Sequence, residues 1–170
     1  MRDRSEADFE RYVEQRSARL VRTAYLLCRD WATAEDLVQT ALARAWLVWR
    51  RVGDDPDPYV YRILTNTHAS WWRRRWRGEV PTLELPERAT GGNPYADLGT
   101  RDALRAALAA LPAKQRAVVV LRYFEDLSDE TIAGIVGCSV PTVRSQASRA
   151  LAKLRLNPAA IAAMETGSRL

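Results

Sequence analysis

The chain has 170 residues, 47% hydrophobic and 28% charged, which is enough apolar material for one or two small cores but not for a large ligand-binding domain as well. A formal net charge of +5 and a pI of about 9.6 point to a polyanionic partner, and how the positive charge clusters matters more than its total. No apolar stretch follows Met1, and the longest unbroken aliphatic run, residues 117–121, is far shorter than the roughly 20 residues that span a bilayer, so a cytoplasmic protein with no membrane insertion is expected.

Taken in order, Ser5 and the acidic residues after it open a helix. Its apolar positions Phe9, Tyr12, Val13, Leu20, Val21, Ala24 and Leu27 recur at three and four, to about Cys28. After a short turn, Thr33 and Asp36 form the pattern of a capping box and launch a second helix to about Arg51, with Val38, Ala41, Leu42, Ala45 and Trp49 as its core residues. On another of its faces lie Asp36, Gln39, Ala43 and Arg50, a polar strip interrupted by a small residue. Such a strip reads either as a solvated face or as a dock for a partner helix.

The loop VGDDPD, residues 52–57, leads into PYVYRILTNTHASWWRRRWR, residues 58–77, a stretch with no acidic residue and three of the chain's six tryptophans. Asp57 is placed to cap this third helix, and Pro58 to occupy its first turn, where a missing N–H costs nothing. Helical phase puts Val60, Leu64, Thr67 and Trp71 on an inward stripe with Ile63 at its margin. Tyr61, His68, Trp72 and Trp76 line a second side, with Arg62, Asn66 and Arg73 next to it. Rings stack on unpaired bases at roughly 1 to 3 kcal/mol per base while guanidiniums hold phosphates, so the face suits a strand with exposed bases. Two other readings of the same stretch are core tryptophans beside a solvated charged end, and a basic amphipathic helix lying on an anionic membrane.

Residues 78–97, GEVPTLELPERATGGNPYAD, hold three prolines, three glycines and a net negative charge without helical period, the composition of a flexible linker. Twenty such residues stretch at most to roughly 65 to 70 Å, or some 20 base pairs of duplex. Beyond Thr100, a candidate cap, short helices are expected over about residues 101–110 and 112–124, Pro112 taking a first-turn position. Then Ser128 and Thr131 begin a short helix with Ile132, Ile135 and Val136 inward, Gly137 supplies a tight turn, and Ser139 caps a longer helix. This last helix has Val143, Ala147, Ala150, Leu151 and Leu154 inward, and the whole is a helix-turn-helix pattern. Its outward face carries Pro141, Thr142, Ser145 and Arg149, with Arg144 and Gln146 on the flanks and Lys153 and Arg155 further on. Small residues at the start admit the backbone to a major groove, and the longer side chains reach base edges or phosphates. A plain helical hairpin with a charged surface is the ordinary alternative. The tail after Pro158 is short and Ala-rich and receives no function.

The expected fold class is all-α: two small helical domains, a helical bundle over residues 1–77 and a helix-turn-helix bundle over 99–156, joined by a linker at 78–98 and followed by a tail at 157–170. Cys28 and Cys138 fall in different predicted domains and, with one histidine in the chain, make no zinc spacing. Both are read as buried thiols, and neither metal nor cofactor is expected.

The segment AEDLVQTALARAW, residues 34–46, followed by the aromatic Arg-rich helix, a linker, Leu111 and Pro112 with Gln115 and Arg116, and a helix-turn-helix ending TVRSQASRALAKLR, resembles a bacterial RNA polymerase sigma factor. The short layout is that of the extracytoplasmic-function (ECF) group of the sigma-70 family. The resemblance implies that Asp36, Leu37, Gln39 and Leu42 dock on core RNA polymerase, with Ala43 and Trp46 beside them. It implies that Asn66, Trp71, Trp72, Arg73 and Arg74 melt and hold the promoter's minus-10 element, to which the outward Tyr61, Arg62 and Trp76 are added. The loop at 52–57 matches one that receives a flipped base. Thr142, Arg144, Gln146 and Arg149 lie where the family reads the minus-35 element, with Ser139, Pro141, Ser145 and Lys153 completing that surface. Ser70 stands where the family often has an acidic residue, and Pro141 where glycine commonly begins the recognition helix. Implied partners are core RNA polymerase, promoter DNA and an anti-sigma factor. The rival readings are a ligand-responsive helix-turn-helix repressor and, more remotely, a nuclease, against which stand the single histidine and the want of a glycine-rich phosphate loop.

Overall fold

The computed structural model describes residues 4–76 and 100–167. Among them are eight α-helices and no strand. The helices are α1 (Glu6–Cys28), α2 (Trp31–Leu47), α3 (Asp57–Trp76), α4 (Thr100–Ala109), α5 (Ala113–Val119), α6 (Asp129–Val136), α7 (Val140–Leu154) and α8 (Pro158–Gly167). A 3₁₀ turn, Trp49–Arg51, follows α2, and a π-helical turn, Val120–Phe124, extends α5. The expected linker lies outside the described residues.

The ends of the helices show the local chemistry at work. Ser5 caps α1 in a reciprocal capping box with Asp8. The second helix starts earlier than its sequence pattern suggests: Asp30, not Thr33, is the cap, its carboxylate accepting from the Thr33 amide at 2.9 Å and the Thr33 hydroxyl at 2.6 Å. Arg29, in a left-handed conformation at φ 67°, reverses the chain between α1 and α2 so that Asp30 meets the new helix end. Asp57 likewise does not cap α3. It is the first helical residue, the Pro56 carbonyl takes the first helical bond from Val60, and the Asp57 carboxylate turns to the Tyr12 hydroxyl at 2.9 Å and to Arg16. Pro112 sits just before α5 rather than in its first turn.

Packing buries one apolar cluster that runs through both heads. In the N-terminal head, Leu20 and Leu27 of α1, Leu37 and Ala41 of α2, Trp49, and Val60 and Leu64 of α3 are buried. Phe9 closes one end with its ring 4.9 Å from Trp46 and 5.0 Å from Trp49. In the C-terminal head, Leu108, residues 118–121, Ile132, Val143 and Leu154 form the core. The Ala-rich tail is a helix laid against α4, with Ala160 and Ala163 buried.

The two heads pack directly on each other, α6 on α3 and the α5 end with its π turn on α1. Arg116 ties the seam: its guanidinium donates to the carbonyls of Leu108, Ala109 and Leu111 at the end of α4, and across to Leu27 at the end of α1 at 2.7 Å. One cation thus serves carbonyls at two helix ends. An open groove of ≈ 490 Å³ runs along the seam between residues 48–62 and α6.

Candidate nucleic-acid interface

The helix-turn-helix is built from its caps. Ser128 accepts from the Thr131 amide to start α6, Gly137 takes the left-handed turn at φ 77°, and Ser139 accepts from the Thr142 amide to start α7. The Ser139 and Thr142 hydroxyls are bonded at 2.8 Å, and the Ser145 hydroxyl donates back to the Thr142 carbonyl at 3.0 Å, so the small residues at the start of α7 lie flat against the backbone. Pro141, Thr142, Arg144, Ser145, Arg149 and Lys153 are exposed, and Gln146 is half-buried. Two of the long side chains are engaged within the head. Arg144 donates to Asp129 at 3.2 Å, a carboxylate that Arg122 also meets at 3.4 Å, and the Lys153 ammonium reaches Gln115 at 3.2 Å.

On α3 the inward stripe is as expected: Val60, Leu64 and Thr67 are buried and Trp71 packs against the core. Arg62, Asn66, Arg73 and Arg74 are exposed, and Trp72 keeps 47% of its surface open. The Trp76 side chain lies outside the described residues. Tyr61 departs from its expected outward position: it is only 2% exposed, covered by the C-terminal head, and its hydroxyl donates to Glu125 at 2.6 Å. His68 is half-buried on the same side. Burial, with the Arg116 charge adding to it, pushes its pKa down to about 4, so the ring is neutral at pH 7.

On α2, Asp36, Gln39 and Ala43 are exposed, Leu42 is half-buried, and Trp46 is 43% exposed beside Leu47 at 81%. These form an apolar patch with a polar border. Leu37 is fully buried, so it holds the helix in place and does not itself reach a docking partner. The Cys28 thiol is pushed up to about 11 by burial and is not a reactive thiolate. Among the described residues there is no group of three metal-binding side chains, and no helix is long and apolar enough to cross a membrane.

The residues least visible to sequence reasoning lie between the heads. Glu125, held at the end of the π turn and 8% exposed, takes the Tyr61 hydroxyl, the Thr23 hydroxyl and, at 2.7 Å, the Arg19 guanidinium. Tyr12, Arg16, Arg19 and Thr23 recur along α1 at spacings of four, three and four, one polar stripe that meets Asp57 and Glu125. That periodicity was the available signal, masked by the stronger apolar stripe of the same helix.

Comparison with known proteins follows the same division. The profile of sigma-70 region 2 matches residues 12–78, and that of sigma-70 region 4 matches residues 101–154. The chain is 44% identical over 154 residues to the RNA polymerase sigma-E factor of Streptomyces coelicolor, spanning 87% of this chain and 84% of that protein. To the ECF RNA polymerase sigma factor SigL of Mycobacterium tuberculosis it is 33% identical over 150 residues, 84% of each. Among solved structures it resembles the sigma factor RpoE in a co-crystal with the anti-sigma factor NepR from Bartonella quintana, at a TM-score of 0.73 and 29% identity, over 86% of this chain and 93% of that one.

Proposed function

The chain belongs to the ECF group of the sigma-70 family, the factors that direct core RNA polymerase to promoters, and from that premise we propose how its residues divide the work. The exposed face of α7, with Thr142, Gln146 and Arg149 central and Arg144 exchanging Asp129 for DNA, reads the minus-35 element as duplex. Asn66, Trp72, Arg73 and Arg74 on α3 hold the minus-10 element as an open strand, joined by Tyr61 when the heads part. Asp36, Gln39, Leu42, Ala43 and Trp46 on α2 dock on the polymerase. Residues 1–77 and 99–156 serve as the two functional heads.

The observation that carries this reading is a pair of separate exposed cationic faces of different chemistry, one that sets the half-exposed Trp72 ring beside Arg62, Asn66, Arg73 and Arg74, and one small and polar at its leading end. Melting is driven by binding: stacking and phosphate contacts offered only to the open strand draw the equilibrium toward it. In this reading the protein makes and breaks no bond and is a binding factor, not an enzyme, and it acts in the cytoplasm because it works bound to RNA polymerase. An anti-sigma protein, such as the one crystallised with the RpoE relative, is its proposed antagonist. The repressor reading gains no support, since both matched profiles and the relatives named above are sigma factors.

The experiment is transcription in vitro with purified protein and core enzyme on a genomic template library. Discrete promoter-dependent starts are expected. A template-independent background equal to that of core enzyme alone would overturn the assignment.

A further inference from the structure

The loop of residues 52–57, between α2 and α3, is held at its ends by the elements around it and at its tip by a residue that precedes α1. The Val52 amide donates to the Trp49 carbonyl at 3.2 Å, the Asp57 amide donates to the Asp55 carboxylate at 3.1 Å, and the Asp57 carboxylate takes Tyr12 and Arg16. At the tip, Arg4 donates through Nε to the Gly53 carbonyl at 3.1 Å and through Nη2 to the Asp54 carbonyl. Its guanidinium lies 5.0 Å from the centre of the buried Trp49 ring, which Phe9 and Tyr12 of α1 also meet. Arg4 directly precedes the Ser5 cap, and the Ser5 amide, bonded to the Asp8 carboxylate at 3.0 Å, fixes the backbone from which the side chain extends. A rigid planar fork that reaches two successive carbonyls is a geometry that arginine supplies and lysine does not.

The geometry points to Arg4 as a positioning residue that sets the shape of this loop and, through it, the loop's reading of one base of the open strand. Arg4 precedes the residues that the region 2 profile matches. The peptide bonds here are trans and planar, so each C=O and the N–H that follows it point in opposite directions. Two carbonyls turned to Arg4 therefore turn the amides of Asp54 and Asp55 away from it, as neighbouring donors for an acceptor atom of a nucleotide. The same loop, with the 36% exposed Tyr59 ring and Arg62, forms one wall of the seam groove and runs into the α3 face assigned to the open strand. A base turned out of that strand has the loop beside it. Gly53, Asp54 and Asp55 are exposed, and exposed loop backbone keeps one shape only where something ties it. Arg4 is that tie. With it the amide pair is preorganised, and without it binding must also order the loop. The hold on the loop stands on the contacts alone, and its consequence for base reading rests on the proposed function.

Two measurements on the full chain test this, with far-UV circular dichroism to check folding. In backbone NMR relaxation, the amides of residues 53–55 in the native protein are expected near the rigid order parameter of ~0.85 and are expected to fall below ~0.6 in Arg4→Ala, with α1 to α3 unchanged. Arg4→Lys, which keeps the charge and loses the fork, is expected to resemble Arg4→Ala. A mobile native loop, or equal order parameters in native and Arg4→Ala, overturns the positioning role. In the second measurement, core polymerase with the native or variant factor transcribes a promoter whose minus-10 positions are randomised one at a time. Both variants are expected to flatten the base preference several-fold at one minus-10 position and to leave the other positions and the minus-35 preference as in the native factor. A uniform fall in transcript yield with every preference intact overturns the base-reading role, since that is what a merely structural or electrostatic effect would produce. If the native factor gives no promoter-specific starts, the proposed function fails, and the relaxation result alone decides whether Arg4 holds the loop.

Discussion

His68 is the chain's one histidine, and its pKa of about 4 makes it a measurable reporter of the fold. The unfolded chain protonates it near 6.5, so between these values the unfolded state holds the extra proton and stability, fully present above 6.5, falls as the pH drops. Urea unfolding at pH 7 and pH 5 is expected to show a loss of about 2 kcal/mol that His68→Gln largely removes. Two other side chains separate the DNA faces. Arg149→Ala is expected to weaken duplex binding and, if the guanidinium meets a phosphate, to lower the salt slope by about 0.9. Trp72→Ala is expected to spare duplex binding and to weaken capture of the open strand by about 1 to 3 kcal/mol. Equal effects of both on double-stranded DNA would contradict the division of labour. Of the residues singled out by sequence pattern, the exposed polar and cationic ones were the most legible, because a solvated face needs only helical phase to be seen. Tyr61 and Leu37 were not, since phase says which side of a helix a residue is on and not what covers that side.

At the scale of elements, the helix-turn-helix depends on Gly137 for its turn, and a Cβ there meets nothing within 4 Å. The cost of Gly137→Ala is therefore conformational alone, about 1 kcal/mol from the left-handed φ, and a shift in the urea midpoint of that size with an unchanged slope is the expected result. The terminal helix α8 is a structural part of the C-terminal head, not a loose tail. Truncation after Asn157 uncovers the apolar side of α4 and is expected to lower the melting midpoint by a few degrees without altering the α7 surface. Its sequence, rich in alanine and weakly amphipathic, carried little sign of this, because small residues pack closely without producing a strong apolar stripe. Helix ends behaved in the same way. Ser5, Ser128 and Ser139 are caps as their spacing predicts, whereas Asp30 displaced Thr33 and Asp57 was taken by Tyr12 and Arg16.

For the whole molecule, the closed arrangement changes what each face offers. The α7 surface stays open, Asn66, Trp72, Arg73 and Arg74 on α3 stay open, and the α2 patch at Trp46 and Leu47 stays open, while Tyr61 and the Arg19 and Thr23 side chains of α1 are occupied by the other head. The sequence by itself determined the all-α class, the two helical heads, the turn chemistry of the helix-turn-helix and the exposure of arginines on two separate helices, α3 and α7. These follow from periodicity, capping and composition, each of which acts within a few turns of chain. Only the tertiary structure decided that Glu125, more than one hundred residues from Arg19 and Thr23, would find them, that Arg116 would serve two helix ends at once, and that Tyr61 would be covered. Such contacts arise from long-range packing of polar groups that no local period records, and their partners become visible only once both heads are folded.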